Sequence, residues 1–168
     1  MKSFKTFSGI AAPLIRVNID TDAIIPSREI KTVSKKGLSG GLFAEWRYLS
    51  LESRKENPDF ILNQDPFKKA SILVTGNNFG CGSSREHAVW ALSEWGIRAI
   101  IAPSYGSIFY SNCIKNGILP IVMDGRVISS MSEFIKDNPE ENRLTVNLIK
   151  NEVSYSNEVI ETFVIQKQ

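Results

Sequence analysis

The amino-acid sequence predicts an α/β fold, a parallel βαβαβ core sheet with a smaller antiparallel β layer. Three apolar runs predict the sheet, at 71–74, 98–103 and 118–122. Each is too short for a helix and is bounded by turn residues, as strands buried on both faces are. Residues at helical spacing separate them, and strand, helix, strand, helix, strand at these intervals gives parallel crossovers. The period then changes to apolar–polar alternation in 144–149 and 158–165, with Asn151 and Asn157 between short runs. That alternation predicts an antiparallel ribbon over about 144–165.

From the N-terminus, residues 9–18 read as a strand whose proline, Pro13, suits a sheet edge. Asp20-Thr21-Asp22 follows. Two carboxylates flanking a threonine can form an Asx-type turn, cap a helix or hold a cation. Residues 27–41 carry Arg28, Lys31, Lys35 and Lys36 and end in a glycine-rich stretch. This is a basic loop, mobile over about 28–37, either a solvated surface or a lid that meets an acidic substrate. Residues 42–49 predict a helical turn that packs Phe43 and Trp46, and Pro58 and Pro66 punctuate the polar connection that follows. After the second strand a helix begins at Ser104 or Ser107 and stops near Gly117; another covers 127–136.

At 168 residues the chain is one domain's worth, enough to bury a core. Charges of both signs are interspersed to a net +2, and there is no basic run of the kind that follows a phosphate backbone. Nucleic acid is not an expected partner. No apolar stretch is long enough to cross a bilayer, and the first residues lack a signal-peptide h-region. Two cysteines, Cys81 and Cys113, make no disulfide framework, so a cytoplasmic location is expected. With a single histidine, His87, they also make too few ligands for a structural zinc site or an iron–sulfur cluster. No metal is expected on this chain.

The chemistry concentrates in residues 77–87, NNFGCGSSREH, between the first core strand and its helix. Ser83 with Glu86 three residues on fits a capping box. Ala88, Ala91, Leu92 and Trp95 form the apolar face of the helix, and Gly96 closes it. Two hydroxyls and a guanidinium thus meet free N–H groups at a helix start, an arrangement suited to a carboxylate. Common alternatives fail on spacing. Arg85 stands where a dinucleotide-binding turn needs its third glycine, no Gly-Lys-Ser/Thr follows, and Gly-x-Ser-x-Gly is absent. A serine hydrolase would need His87 as its base, four residues from Ser83 on the same helix, with poor reach. Cys81 is either a small buried residue of the turn or a thiol activated by the helix start. His87 is either a hydrogen-bonded structural histidine or a catalyst.

Residues 80–88, GCGSSREHA, resemble the signature of the swivelling domain of the aconitase superfamily. Residues 18–26 (NIDTDAIIP), 58–63 (PDFILN), 101–104 (IAPS) and 108–110 (IFY) narrow the resemblance to bacterial small subunits of 3-isopropylmalate dehydratase, the isomerase of leucine biosynthesis. The resemblance runs from about Phe4 to the last strand. It implies one swivelling β/β/α domain over 1–168 and a hydro-lyase that interconverts 2- and 3-isopropylmalate through 2-isopropylmaleate. A cluster-bearing large subunit is the implied partner, with a [4Fe–4S] cluster on that subunit and none on this chain. The implied substrate is a small dicarboxylate. Ser83 takes the role of catalytic base, while Ser84 and Arg85 bind substrate. Asp20, Thr21, Asp22, Gly82 and His87 support them, and Arg28, Glu29, Ile30 and Lys31 belong to the substrate-specificity loop. Such small subunits continue into a further helical segment, so this chain reads as short at its C-terminus. Two alternatives share the motif: a related hydro-lyase of the methylmalate/citraconate or homoaconitate type, and a non-catalytic anion-binding scaffold subunit.

Overall fold

A computed structural model describes residues 5–31, 34–155 and 160–165. Thr32 and Val33 of the basic loop, and residues 156–159 of the ribbon, lie outside the described residues. Among the described residues, helices flank two four-stranded sheets. The parallel sheet contains β2 (Ala11–Leu14), β3 (Ile72–Thr75), β4 (Ala99–Ala102) and β5 (Leu119–Val122), in that spatial order. Every residue of β2, β3 and β4 is buried, which explains why these strands read as unbroken apolar runs. Pro13 sits in the edge strand β2, where a missing N–H is tolerated. The other sheet is antiparallel, with β1 (Thr6–Gly9), β6 (Leu144–Asn147), β7 (Glu152–Ser154) and β8 (Ile160–Thr162) in that order. The first strand of the chain thus joins the C-terminal ribbon, Thr6 opposite Asn147 and Gly9 opposite Leu144. Only Ile10 separates β1 from β2, so one continuous segment ties the two sheets together.

Helix α3 (Glu86–Trp95) joins β3 to β4, and α4 (Ser107–Lys115) joins β4 to β5. Both crossovers step the same way along the sheet, and a common right-handed sense puts their helices on one face, where they pack on each other. Helix α5 (Gly125–Asp137) lies across β2, β3 and β4, its Ile128, Met131 and Ile135 buried at i, i+3 and i+7. Asp124 caps it by accepting from the Arg126 N–H at 2.8 Å. The one-turn helices α1 (Thr21–Ile24) and α2 (Ala44–Arg47) flank the basic loop. Phe43 stacks on Trp46 with ring centroids 5.7 Å apart, the packing expected of the 42–49 turn.

Beyond their last ladder residues, β2, β3 and β4 stay in register as irregular chain. On one side the Asn18 N–H donates to the Asn77 carbonyl (2.8 Å), Gly80 N–H to Ile19 (2.7 Å) and Thr21 N–H to Cys81 (3.0 Å). On the other, Phe79 N–H donates to Ser104 (3.1 Å) and Gly106 N–H to Phe79 (2.9 Å). This close three-segment pairing needs three residues without a Cβ: one on Gly76 would collide with the Arg16 carbonyl. A Cβ on Gly106 would lie 2.5 Å from the Gly80 carbonyl oxygen, and one on Gly80, at φ +76, would enter the Phe109 ring. Gly80→Ala should therefore cost roughly 2–4 kcal/mol from backbone strain and overpacking together. Gly125→Ala, at an open helix start, should change stability by less than about 0.5 kcal/mol. Urea unfolding of the two variants checks this; equal midpoints would mean that the pairing does not constrain the turn.

Candidate functional site

The paired segment ends at Gly82, whose φ of +89 turns the chain out of the sheet plane. Ser83 and Ser84 follow, exposed to solvent, and Arg85 is partly buried. The expected capping box does not form. Helix α3 starts at Glu86, and its N-cap is Arg85, extended at φ −138 and ψ 104, with no side-chain cap. The backbone pairing of 79–81 delays the helix by two residues, so tertiary context overrides the local capping preference. As a consequence neither serine hydroxyl is spent on the helix. Helix α4 likewise starts on Gly106 without a side-chain cap. Both helix starts border one cavity of about 220 Å³, lined by Thr21, the 80–85 turn and residues 106–109. Orphan N–H groups at two helix ends give it a positive character before any side chain is counted.

Three supporting side chains take distinct roles. The Thr21 hydroxyl, buried, donates to the Ser83 carbonyl at 2.7 Å and fixes the height of the turn. Asp22 Oδ1 accepts from Arg85 Nη1 at 3.2 Å, and Nη1 also points at the Ile25 carbonyl at 3.4 Å. Both contacts use one nitrogen of a fork that carries five N–H donors. Asp20 resolves the three readings of its motif as a cap, accepting from the Ala23 N–H at 2.7 Å. His87 does not meet either carboxylate; its ring stands edge-on to Trp90, centroids 4.9 Å apart. Cys81 is half-buried in the turn, and its carbonyl accepts from Thr21. Cys113 is buried in α4, where desolvation pushes its thiol well above the ordinary range.

The basic loop is tied to its surroundings at many points. Ser27–Glu29 and Ser39–Gly41 form short 3-10 turns. Arg28 pairs with Glu45 at 3.2 Å and Glu29 with Arg54 at 2.8 Å, so these two charges are engaged within the loop's own neighbourhood. Ile30 packs on the core and Lys31 is exposed. Arg47, buried beneath the second turn, donates to the Ser39 and Leu42 carbonyls at 2.7 and 3.0 Å and lies over the Trp95 ring. Burial lowers its pKa, yet a guanidinium in this range stays charged.

Sequence reasoning did not find the polar cluster beside the turn. Asn78, at φ +61, donates from its side chain to Asn18 Oδ1 at 3.0 Å, and its N–H donates to Ser104 Oγ at 2.8 Å. Paired asparagines at strand ends were the only available signal. A larger cavity of about 460 Å³ adjoins the site and shares Ser107 and Ile108 with it. It has hydroxyls but no charged side chain, so anion chemistry belongs to the smaller one. Among the described residues no group of three or more His, Cys, Asp or Glu is placed to hold a metal ion, and no helix is long and apolar enough to cross a membrane.

Comparisons with known proteins point to one family. The Aconitase C-terminal domain family matches residues 1–126. The 3-isopropylmalate dehydratase small subunit of Cupriavidus necator is 54% identical over 153 residues, covering 91% of this chain and 74% of that protein. The protein of the same name from Roseobacter denitrificans is 47% identical over 163 residues, 97% of this chain and 80% of its own. Among solved structures, 3-isopropylmalate dehydratase from Methanocaldococcus jannaschii superposes with a TM-score of 0.67 at 28% identity, covering 97% of this chain and 84% of that one.

The Thr21 bond makes a direct test of how the turn is held. Thr21→Val keeps the shape but leaves the Ser83 carbonyl without its donor, which should cost about 1–2 kcal/mol. Amide exchange across 82–85 should accelerate in the variant, read by NMR. Unchanged exchange would mean that the turn is held by its backbone pairing alone.

Proposed function

The chain belongs to the Aconitase C-terminal domain family, among its 3-isopropylmalate dehydratase small subunits, and we infer that the Ser83 turn is the part of a shared active site that it contributes. The observation that carries this reading is the pair of uncapped, exposed hydroxyls beside an arginine braced by Asp22. The reaction removes water from one isopropylmalate to give 2-isopropylmaleate and adds it back the other way round. It needs a base for the proton next to a carboxylate, a grip on the carboxylates, and an acceptor for the departing hydroxyl.

The first two needs suit this chain. Ser83 is the base, Arg85 grips a carboxylate of the dicarboxylate substrate and stabilises the ionised serine, and Ser84 hydrogen-bonds the substrate. Thr21, Asp22 and Gly82 hold those groups in place, Asp20 secures the helical turn that carries Thr21 and Asp22, and His87 supports helix α3 from Trp90. The third need does not suit it. A [4Fe–4S] cluster takes at least three thiolates, and the two cysteines here are a turn residue and a buried helix residue. The cluster is assigned to the large subunit, and nothing in this chain's part runs through it. The arms of the 27–41 loop, Arg28 to Lys31 among them, read the isopropyl group. The complex works in the cytoplasm.

Magnitudes explain why two subunits are needed. A serine hydroxyl is a far weaker acid than imidazole, and each power of ten in acidity is worth about 1.4 kcal/mol. A helix start offers at most about 2 kcal/mol, and a charged hydrogen bond from Arg85 roughly 1.5–3. That falls several powers of ten short of a working base. The remainder comes from a dry pocket closed by the large subunit. The chain by itself should be inactive.

In the complex reconstituted with a large subunit, Ser83→Ala should lower kcat by about 10²–10⁴, with assembly unchanged on size exclusion. Arg85→Lys should raise KM at least about tenfold by losing the planar fork. Full turnover by the Ser83 variant would make the turn a non-catalytic anion-binding scaffold. Preference for methylmalate or homocitrate over 2- and 3-isopropylmalate would make the enzyme a related hydro-lyase.

A further inference from the structure

Glu94 was unremarked in the sequence, a charge near the end of an amphipathic helix. In the structure both of its carboxylate oxygens are engaged. Oε2 accepts from the Gly37 N–H and Oε1 from the Ser39 N–H, each at 2.7 Å. These bonds, that of Ser39 foremost, hold its carboxyl below the usual range, so it is a carboxylate at neutral pH. Two neighbours on α3 extend the contact. Lys35 Nζ lies 5.2 Å from the centre of the Trp90 ring, and His87 stands edge-on to the same ring. His87, Trp90 and Glu94 are spaced i, i+3 and i+7, which puts them on one face of the helix. The arm of the loop that contains Lys35, Gly37 and Ser39 is thus laid along that face.

The other arm is anchored at the opposite end of the same helix. Arg85, the N-cap of α3, points at the Ile25 carbonyl, two residues ahead of the Ser27–Glu29 turn. From Arg85 to Glu94 the helix advances roughly 13 Å. Helix α3 therefore fixes both roots of the loop, one through the arginine of the Ser83 turn and one through Glu94. The buried Arg47 supports the second root from beneath by donating to the Ser39 and Leu42 carbonyls. The Ser39 backbone is consequently held at its N–H by a carboxylate and at its C=O by a guanidinium.

From this we propose that Glu94 is a positioning residue that sets the loop's second root on helix α3 in register with the Ser83 turn, and so determines how tightly the isopropyl-bearing substrate is held. The proposal rests on the functional reading above, since it takes the loop as the part that reads the substrate's side group. Glu94 itself touches no substrate. It is solvent-exposed, so its removal leaves the core intact. Its loss frees two backbone N–H groups to water and releases the arm from α3, while Ser83, Ser84 and Arg85 keep their own supports. The effect must then fall on substrate binding and selectivity rather than on the chemical step.

The experiment uses the complex with a large subunit, in wild-type form and with Glu94→Ala and Glu94→Gln. Turnover of 3-isopropylmalate and of malate, which lacks the branch, is measured for each, together with amide exchange at Gly37 and Ser39. Glu94→Ala should raise KM for 3-isopropylmalate about tenfold with kcat within twofold, and should lower the preference for isopropylmalate over malate by a similar factor. Glu94→Gln, which keeps one acceptor oxygen, should fall between, near threefold. Exchange at both amides should accelerate at least tenfold in the alanine variant. Unchanged KM and preference, or an equal fall in kcat on both substrates, would overturn the proposal. If the wild-type complex turns over no isopropylmalate, the functional reading fails instead and takes the substrate half of the proposal with it. Amide exchange would then still decide whether Glu94 fixes the loop.

Discussion

The site depends on the sheet continuing past its own strands. Strands β2, β3 and β4 end as regular ladders at Leu14, Thr75 and Ala102, yet the segments that follow remain hydrogen-bonded to one another out to Thr21, Cys81 and Gly106. The turn that displays Ser83 is therefore the frayed but still paired end of a buried parallel sheet, with little of the freedom of an ordinary surface loop. Ligands of open α/β sheets bind outside the carboxyl ends of strands, and here that geometry is sharpened by Gly76, Gly80 and Gly106, which let three backbones come together. On such a support the Ser83 and Ser84 hydroxyls are placed by their backbone, which Thr21 braces at the Ser83 carbonyl, and not by bonds of their own to the helix.

Helix α3 then transmits this order outward. Its start is set by the paired turn, and its body carries attachments for a loop that would otherwise have no reason to stay near the site. The charges involved are mostly exposed, and pairs such as Arg28 with Glu45 contribute little stability in water. Their value is geometric. The buried exception, Arg47, donates to the Leu42 carbonyl and gives the Ser39 carbonyl a second donor beside the Leu42 N–H, while Trp95 and Tyr48 lie against its guanidinium. A cation is kept in the core because backbone oxygens need donors there.

Much of this was legible from the residues. Fully buried strands advertise themselves as apolar runs, which is why 71–74, 98–103 and 118–122 located the parallel sheet to within a residue or two. The amphipathic pattern of α5 and the glycine stop of α3 were equally plain, and the 80–88 motif marked the turn that leads into α3. Long-range partnerships left no such trace. Nothing in residues 6–9 says that they pair with 144–147, because alternation marks a strand and says nothing of its neighbour. Ser83 failed as a cap for a related reason: its local preference was real, but the pairing of Phe79 to Cys81 with two flanking segments outweighed it. Glu94 was invisible because a single charged residue has the same appearance whether it faces water or a backbone, and the Asn18–Asn78 contact left only the weak trace of asparagines at two strand ends.

An open position for the turn is hard to reconcile with catalysis by one polypeptide. Two unit charges 4 Å apart attract by only about 1 kcal/mol in water, against about 4 kcal/mol at the effective dielectric of a partly covered protein site. On the roles proposed above, with Ser83 and Ser84 exposed, Arg85 and the two helix starts would act through solvent and stabilise an alkoxide weakly. Covering the turn with another protein surface multiplies the worth of those same groups without moving them. The subunit division then has a physical basis: this chain supplies fixed dipoles and donors on a rigid sheet end, and closure supplies the dielectric in which they count. It also follows that the turn should stay exposed when the chain is alone, because a pocket closed by its own loop would exclude the partner that completes it.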